Sequence, residues 1–110
     1  MKVVYVFRSS DASVILEKMI IPQLEKGTHG VEIVGMFFFF DNTLLFVPEN
    51  PTGNKLVRLA KQKGFFLLCC DLCTAQRNIA NRLFDGVEEG CFPDLYRRSM
   101  EAGAQQVITL

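Results

Sequence analysis

Two spacings of apolar residues alternate along this chain. Runs rich in β-branched and aromatic side chains, at Lys2 to Arg8, Val31 to Phe39 and the stretch from Gly64 to Cys70, read as strands, the second apolar on both faces as parallel strands are. Between them the apolar positions fall three and four apart. Ala12, Ile15, Leu16, Met19 and Ile20 predict a helix that Ser9, Ser10 or Asp11 caps and that Pro22 ends or kinks near Ile21. Leu56, Leu59 and Ala60 predict a second helix over Gly53 to Lys63, with Thr52 as its cap and Gly64 as its stop. Ala75, Ile79 and Leu83 form the inner side of a third, from about Thr74 to Leu83, which Asp85-Gly86 breaks. Val87 to Phe92 then reads as a weak fourth strand, Pro93 as the first position of a helix over Asp94 to Ala102, and Gln106 to Leu110 as a final strand. Thr43 to Pro51 stays open between a short strand, a helical turn and a packed hydrophobic loop, with a lid as one conceivable use.

Strands alternating with helices over short loops predict an α/β domain spanning residues 1–110: a mostly parallel sheet of about five strands, right-handed crossovers, and helices on both faces. In such sheets ligands and chemistry gather outside the carboxyl ends of the strands. The loops that fall there are Arg8 to Asp11, Asp41-Asn42, Cys70 to Cys73, and Cys91 with Phe92 and Pro93.

Composition narrows the classes. The chain has 110 residues, enough for one core and no second domain. Its apolar fraction of 49% exceeds what a small monomer needs, so a homo-oligomer is expected. Twelve basic residues balance twelve acidic ones, which removes the electrostatic footprint of a nucleic-acid binder. The apolar stretch Val31 to Phe40 is too short to span a bilayer and runs directly into Asp41. With no small-residue cleavage site after Met1 to Arg8, a cytoplasmic location is expected, where four cysteines serve as thiols, metal ligands or redox groups rather than structural disulfides.

Alternation sends Cys69 and Cys70 to opposite faces, Cys69 into the packing as a small hydrophobe. Cys70 and Cys73 sit at a helix start, where N–H groups and the positive helix end favour a thiolate. Asp71 between them opposes that, and Arg77, one turn on from Cys73, is placed to offset it. Arg8 either holds an anion or pairs with Asp11 or Asp41. Three chemistries use a Cys-x-x-Cys. A dithiol oxidoreductase wants thioredoxin-like surroundings, which this sequence lacks. Zinc would take Cys70, Cys73 and Cys91, but His29, the fourth donor, belongs to the opposite edge as an exposed turn residue. Sulfur transfer needs one thiolate to hold a terminal persulfide and a second thiol to resolve it, which this rim matches best. That chemistry requires no cofactor; zinc at the three cysteines is the alternative.

The strand Val3 to Phe7, Gly35-Met36-Phe37-Phe38-Phe39-Phe40-Asp41-Asn42, Gly64 through Cys73, and Gly90-Cys91-Phe92-Pro93-Asp94-Leu95-Tyr96 together resemble the DsrE/DsrF-like family of small sulfur-relay proteins, and within it the SaoD-type subgroup linked by name to selenium and sulfur metabolism. The resemblance covers nearly the whole chain. It implies a flavodoxin-like three-layer α/β/α sandwich, oligomers (dimer, trimer or hexamer), and sulfur donor and acceptor proteins as partners. The family's sulfur-carrying cysteine maps onto Cys70, with Cys73 or Cys91 as the resolving thiol. Many members lack a Cys-x-x-Cys, so the extra thiols leave room for redox work or metal. A non-catalytic metal-binding module, or a structural subunit of an oxidoreductase complex with an apolar patch around Phe40 to Val47, is the rival expectation.

Overall fold

The computed structural model describes all residues, 1–110. Five parallel strands, β1 (Lys2–Phe7), β2 (Glu32–Phe38), β3 (Phe66–Cys70), β4 (Glu88–Gly90) and β5 (Gln106–Thr109), form one sheet in the order β4-β3-β2-β1-β5. Parallel pairing forces each connection to cross a face of the sheet, and the helices lie in those crossovers. The sandwich read from the alternation is therefore the one observed.

The first crossover is one helical run, α1 (Ala12–Ile15), a π-helical turn (Leu16–Ile20) and α2 (Ile21–Lys26). Pro22 does not end it. A proline has no N–H to donate and crowds the carbonyl one turn back; the wider π turn immediately before α2 opens the ladder where Pro22 enters. The run stops instead at Gly27, whose φ of 70° is left-handed.

The first part of Thr43 to Pro51 belongs to a 3₁₀ helix, Phe40–Phe46, which buries Leu45 and Phe46 in the core; a turn follows and leads to Pro51. The next helix, α3 (Pro51–Lys63), starts earlier than expected. Asn50 caps it, its Oδ1 accepting the Gly53 N–H at 3.1 Å, and Thr52 lies inside the first turn because Pro51 already occupies the first helical position. Gly53 has no room for a side chain, since a methyl there would stand 1.6 Å from the Leu45 carbonyl oxygen.

After β3 the chain enters α4 (Asp71–Gln76) at once, three residues earlier than the periodicity predicts, and leaves it sooner. Asn78, at φ 55°, reverses the chain so that the Ile79 N–H returns to the Thr74 carbonyl at 3.1 Å. Ile79 is buried by this reversal rather than by a longer helix, and Ala75 faces water. The last helix, α5 (Phe92–Glu101), takes Cys91 as its N-cap, and β5 then pairs with β1 at the sheet's far edge.

Two apolar clusters flank the sheet. The larger, of 20 buried residues, packs α1, α2 and α3 against Val3, Tyr5, Phe7, Met36, Phe38 and Cys69. The smaller, of 9, joins Val4, Val6, Phe37, Phe66 and Leu68 to Leu95 of α5, and includes Cys70 and Cys73. The Phe66 ring lies against Gly35, where a methyl would come within 2.0 Å of it, and the Arg98 guanidinium covers it at 5.0 Å.

Candidate functional site

Cys70 is both the last residue of β3 and the N-cap of α4, so the strand fixes its face while the helix supplies donors. Its Sγ accepts the Cys73 N–H at 3.2 Å. Cys73, one helical turn on, is 2% exposed, and its own Sγ accepts the Phe40 N–H at 3.1 Å. The two thiols are thus brought together, each with a backbone donor. The expectation that the helix start favours a thiolate at Cys70 is corrected. Burial pushes the Cys70 thiol up to about 11, the adjacent Cys73 sulfur adds to this, and the Cys73 and Leu72 amides pull only partly the other way. Cys69, on the opposite face and 0% exposed, is core as expected, and burial raises its thiol further still.

Cys91 is not drawn into this pair. It is exposed, and its N–H donates to Asp94 Oδ2 at 2.9 Å. Gly90 is the register partner of Cys70, so Cys91 leaves the adjacent strand end. Even so, no three His, Cys, Asp or Glu side chains converge closely enough to hold a metal ion, and the donor set read for zinc is not assembled.

The charged rim residues differ from expectation. Arg77 does not face a sulfur: its Nε and Nη2 each lie 2.8 Å from Asp41 Oδ1, and its Nη1 donates to the Cys73 carbonyl at 3.1 Å. Asp41 neutralises the charge that the sequence assigned to the thiols. Asp71 points to water and accepts the Leu72 N–H at 2.8 Å. Arg8 pairs with neither Asp11 nor Asp41; it lines a concavity of about 430 Å³ with Ser9, Ser10, Ser13, Phe40, Asp41 and Asn42. Asn42 is buried and donates to the Ser9 carbonyl at 3.0 Å, tying the loop after β2 to the loop after β1.

Sequence reasoning missed two features. One is the Phe40 amide, which no side-chain pattern announces because every residue but proline has one. The other is Thr74, whose hydroxyl donates to Glu89 Oε1 at 2.6 Å and pins α4 to β4. Beside the thiols, Phe39 packs on Phe40 and Phe92, and Phe92 on Tyr96, with centroids 5.7, 5.3 and 6.2 Å apart. Phe40, Phe92 and Tyr96 are roughly half exposed, as are Leu44 and Leu72, so the apolar patch lies at this rim but reaches beyond Phe40 to Val47.

The largest concavity, about 500 Å³, lies at the amino-terminal edge between His29 and Lys63 and holds no thiol. His29 is half-buried there rather than an exposed turn residue. With Gln23 Oε1 accepting from Nδ1 at 2.8 Å, its Nε2 is left to accept the Tyr5 hydroxyl at 2.9 Å, and burial lowers the His29 pKa.

This arrangement, a parallel five-stranded sheet with helices on both faces, is a flavodoxin-like fold. It is shared with the ychN protein from E. coli at a TM-score of 0.71 and 18% identity over 99% of this chain and 97% of that one. It is also shared with two proteins of unknown function: MTH1491 from Methanobacterium thermoautotrophicum (TM-score 0.69, 16% identity, 99% and 98% covered) and BT1422 from Bacteroides thetaiotaomicron (TM-score 0.66, 11% identity, 98% and 94% covered). At these identities the likeness is one of fold. No family model and no curated protein matches the chain in sequence. No helix is long and apolar enough to cross a membrane.

Proposed function

We propose that this protein is a sulfur relay that carries sulfane sulfur as a persulfide on Cys70 and uses Cys73 to resolve it. The single observation that carries the reading is the adjacency of the two thiols at the carboxyl end of β3, each sulfur accepting a backbone N–H. A thiolate at Cys70 attacks the outer sulfur of a donor persulfide; the donor leaves as a thiolate and Cys70 holds the terminal sulfur. An acceptor thiolate takes that sulfur directly, or Cys73 attacks Cys70 Sγ, forming the disulfide and expelling hydrosulfide. Cys73 suits the resolving role better than Cys91, whose exposed thiol stands apart. Burial raises the Cys70 thiol, so the empty carrier loads through the small fraction of it that is ionised.

Because Cys70 and Cys73 are 5% and 2% exposed, donor and acceptor must displace part of the cover, in which Phe39 packs against both cysteines' cluster. The half-exposed Phe40, Phe92 and Tyr96 beside it offer apolar contact for such partner proteins or for a second copy of the chain. Mass spectrometry of anaerobically purified protein, before and after a sulfane-sulfur donor, tests the reading. A reductant-labile gain of one sulfur mapped to Cys70, lost in Cys70→Ser, is expected; equal loading of Cys70→Ser refutes the carrier assignment.

A further inference from the structure

Phe40 and Asn78 are the two non-glycine residues at positive φ, both 55°. Asparagine tolerates that region through its short polar side chain, whereas phenylalanine enters it only when the surroundings impose it. What the conformation achieves at Phe40 is a direction: the N–H points at Cys73 Sγ. Its other bonds keep it there. The Phe40 carbonyl accepts the Thr43 hydroxyl at 2.7 Å, Asp41 holds Arg77, and Arg77 returns to the Cys73 carbonyl. A closed circuit thus runs from Cys73 Sγ through Phe40, Asp41 and Arg77 back to Cys73. Donor and sulfur cannot part unless a bond of that circuit breaks. Cys70 Sγ also accepts a backbone N–H, that of Cys73 at 3.2 Å, but this donor belongs to its own helix start and lies outside the circuit.

We propose that the Phe40 amide is a positioning donor that makes Cys73 the attacking sulfur of the pair, with Asp41 and Arg77 as the clasp that aims it. The inference deepens the relay reading and takes only the cargo from it. In the resolving step the Cys73 thiolate forms a bond to Cys70 Sγ; the bond from Cys70 Sγ to the terminal sulfur breaks, and that sulfur leaves as hydrosulfide with the electron pair. Two cysteines are oxidised to one disulfide as one sulfane sulfur is reduced to sulfide, so the electrons balance without a further reactant.

The test does not depend on persulfide loading. The full chain is equilibrated in glutathione disulfide/thiol buffers, and the fraction bearing a Cys70–Cys73 disulfide is read by mass. A donor to an anionic sulfur favours the dithiol, so Arg77→Gln and Asp41→Asn are each expected to shift the equilibrium toward the disulfide by about tenfold, ~30 mV for a two-electron couple. Phe40→Gly keeps the amide and accepts the same φ, and is expected to stay within about twofold of the unaltered chain. In persulfide-loaded protein the clasp variants should release hydrosulfide about tenfold more slowly while Cys70 loads normally, a split that general loosening does not produce. An unchanged disulfide equilibrium in both clasp variants, or an equal shift in Phe40→Gly, overturns the proposal. Failure of Cys70 to accept sulfur overturns the relay reading and leaves the glutathione result to judge the donor.

Discussion

Cys69 and Cys70 are consecutive, yet the sheet gives them to unlike faces. Cys69 enters the larger cluster, sealed by three helical segments and 0% exposed. Cys70 enters the smaller one, whose cover is α5, the start of α4 and a row of half-exposed aromatic rings. On the first face a thiol is filler; on the second it meets backbone donors, a second sulfur and a rim a partner can reach. The chemistry of a cysteine here is set by which side of a pleat it occupies and by what was left off that side.

Substitutions sharpen the contrast. Phe38→Ala, in the larger cluster and stacked on Phe7 at 4.8 Å, is expected to cost about 3–5 kcal/mol in denaturant unfolding. Cys69→Ser places a hydroxyl where nothing accepts it and should cost about 1–3 kcal/mol. Cys70→Ser, one residue along, should cost no more than ~0.5 kcal/mol, because serine is a good N-cap for the same Cys73 N–H, and yet it should abolish sulfur loading. If the two serine variants are equally unstable, the two faces do not differ in the way described.

The pH dependence follows with a definite sign. The Cys70 thiol ionises at about 11 in the fold against an ordinary 9, so between these values the unfolded chain has released a proton that the folded one retains. Stability should therefore fall as pH rises from 9 toward 11, and Cys70→Ser should remove that part of the fall while leaving the part due to Cys69. Smallest of all, Arg97→Gln on the outer side of α5, where the exposed Arg97 pairs with Glu101 at 3.1 Å, should leave the denaturant midpoint unchanged.

Much of this was legible in the chain. Undivided apolar runs gave the parallel strands, Gly64 closed α3, and alternation separated Cys69 from Cys70, because these follow from local periodicity. The π turn before Pro22, the cap at Asn50 and the reversal at Asn78 were not legible: whether a proline ends a helix or is absorbed by a π turn, which polar residue caps, and where a left-handed residue folds the chain back are settled by tertiary packing. At the site the thiols were visible and their partners were not. Arg77 was read as a neighbour of Cys73 along the helix, but its charge goes to Asp41 on another loop, and the donor to Cys73 is a main-chain amide.

The pairing of β1 with β5 sets Val3 beside Gln106, and next to it the Lys2 N–H donates to Gln105 Oε1 across a separation of 103 residues. During synthesis β1 therefore keeps a bare hydrogen-bonding edge until β5 has been made, and the closing contact is the one of longest sequence separation in the sheet. Until then Val3 to Val6 offer an unpaired template to any extended segment nearby. The newborn chain is accordingly most vulnerable to mispairing at β1, so its yield in the cell should depend more on protection of β1 than on anything near the cysteines.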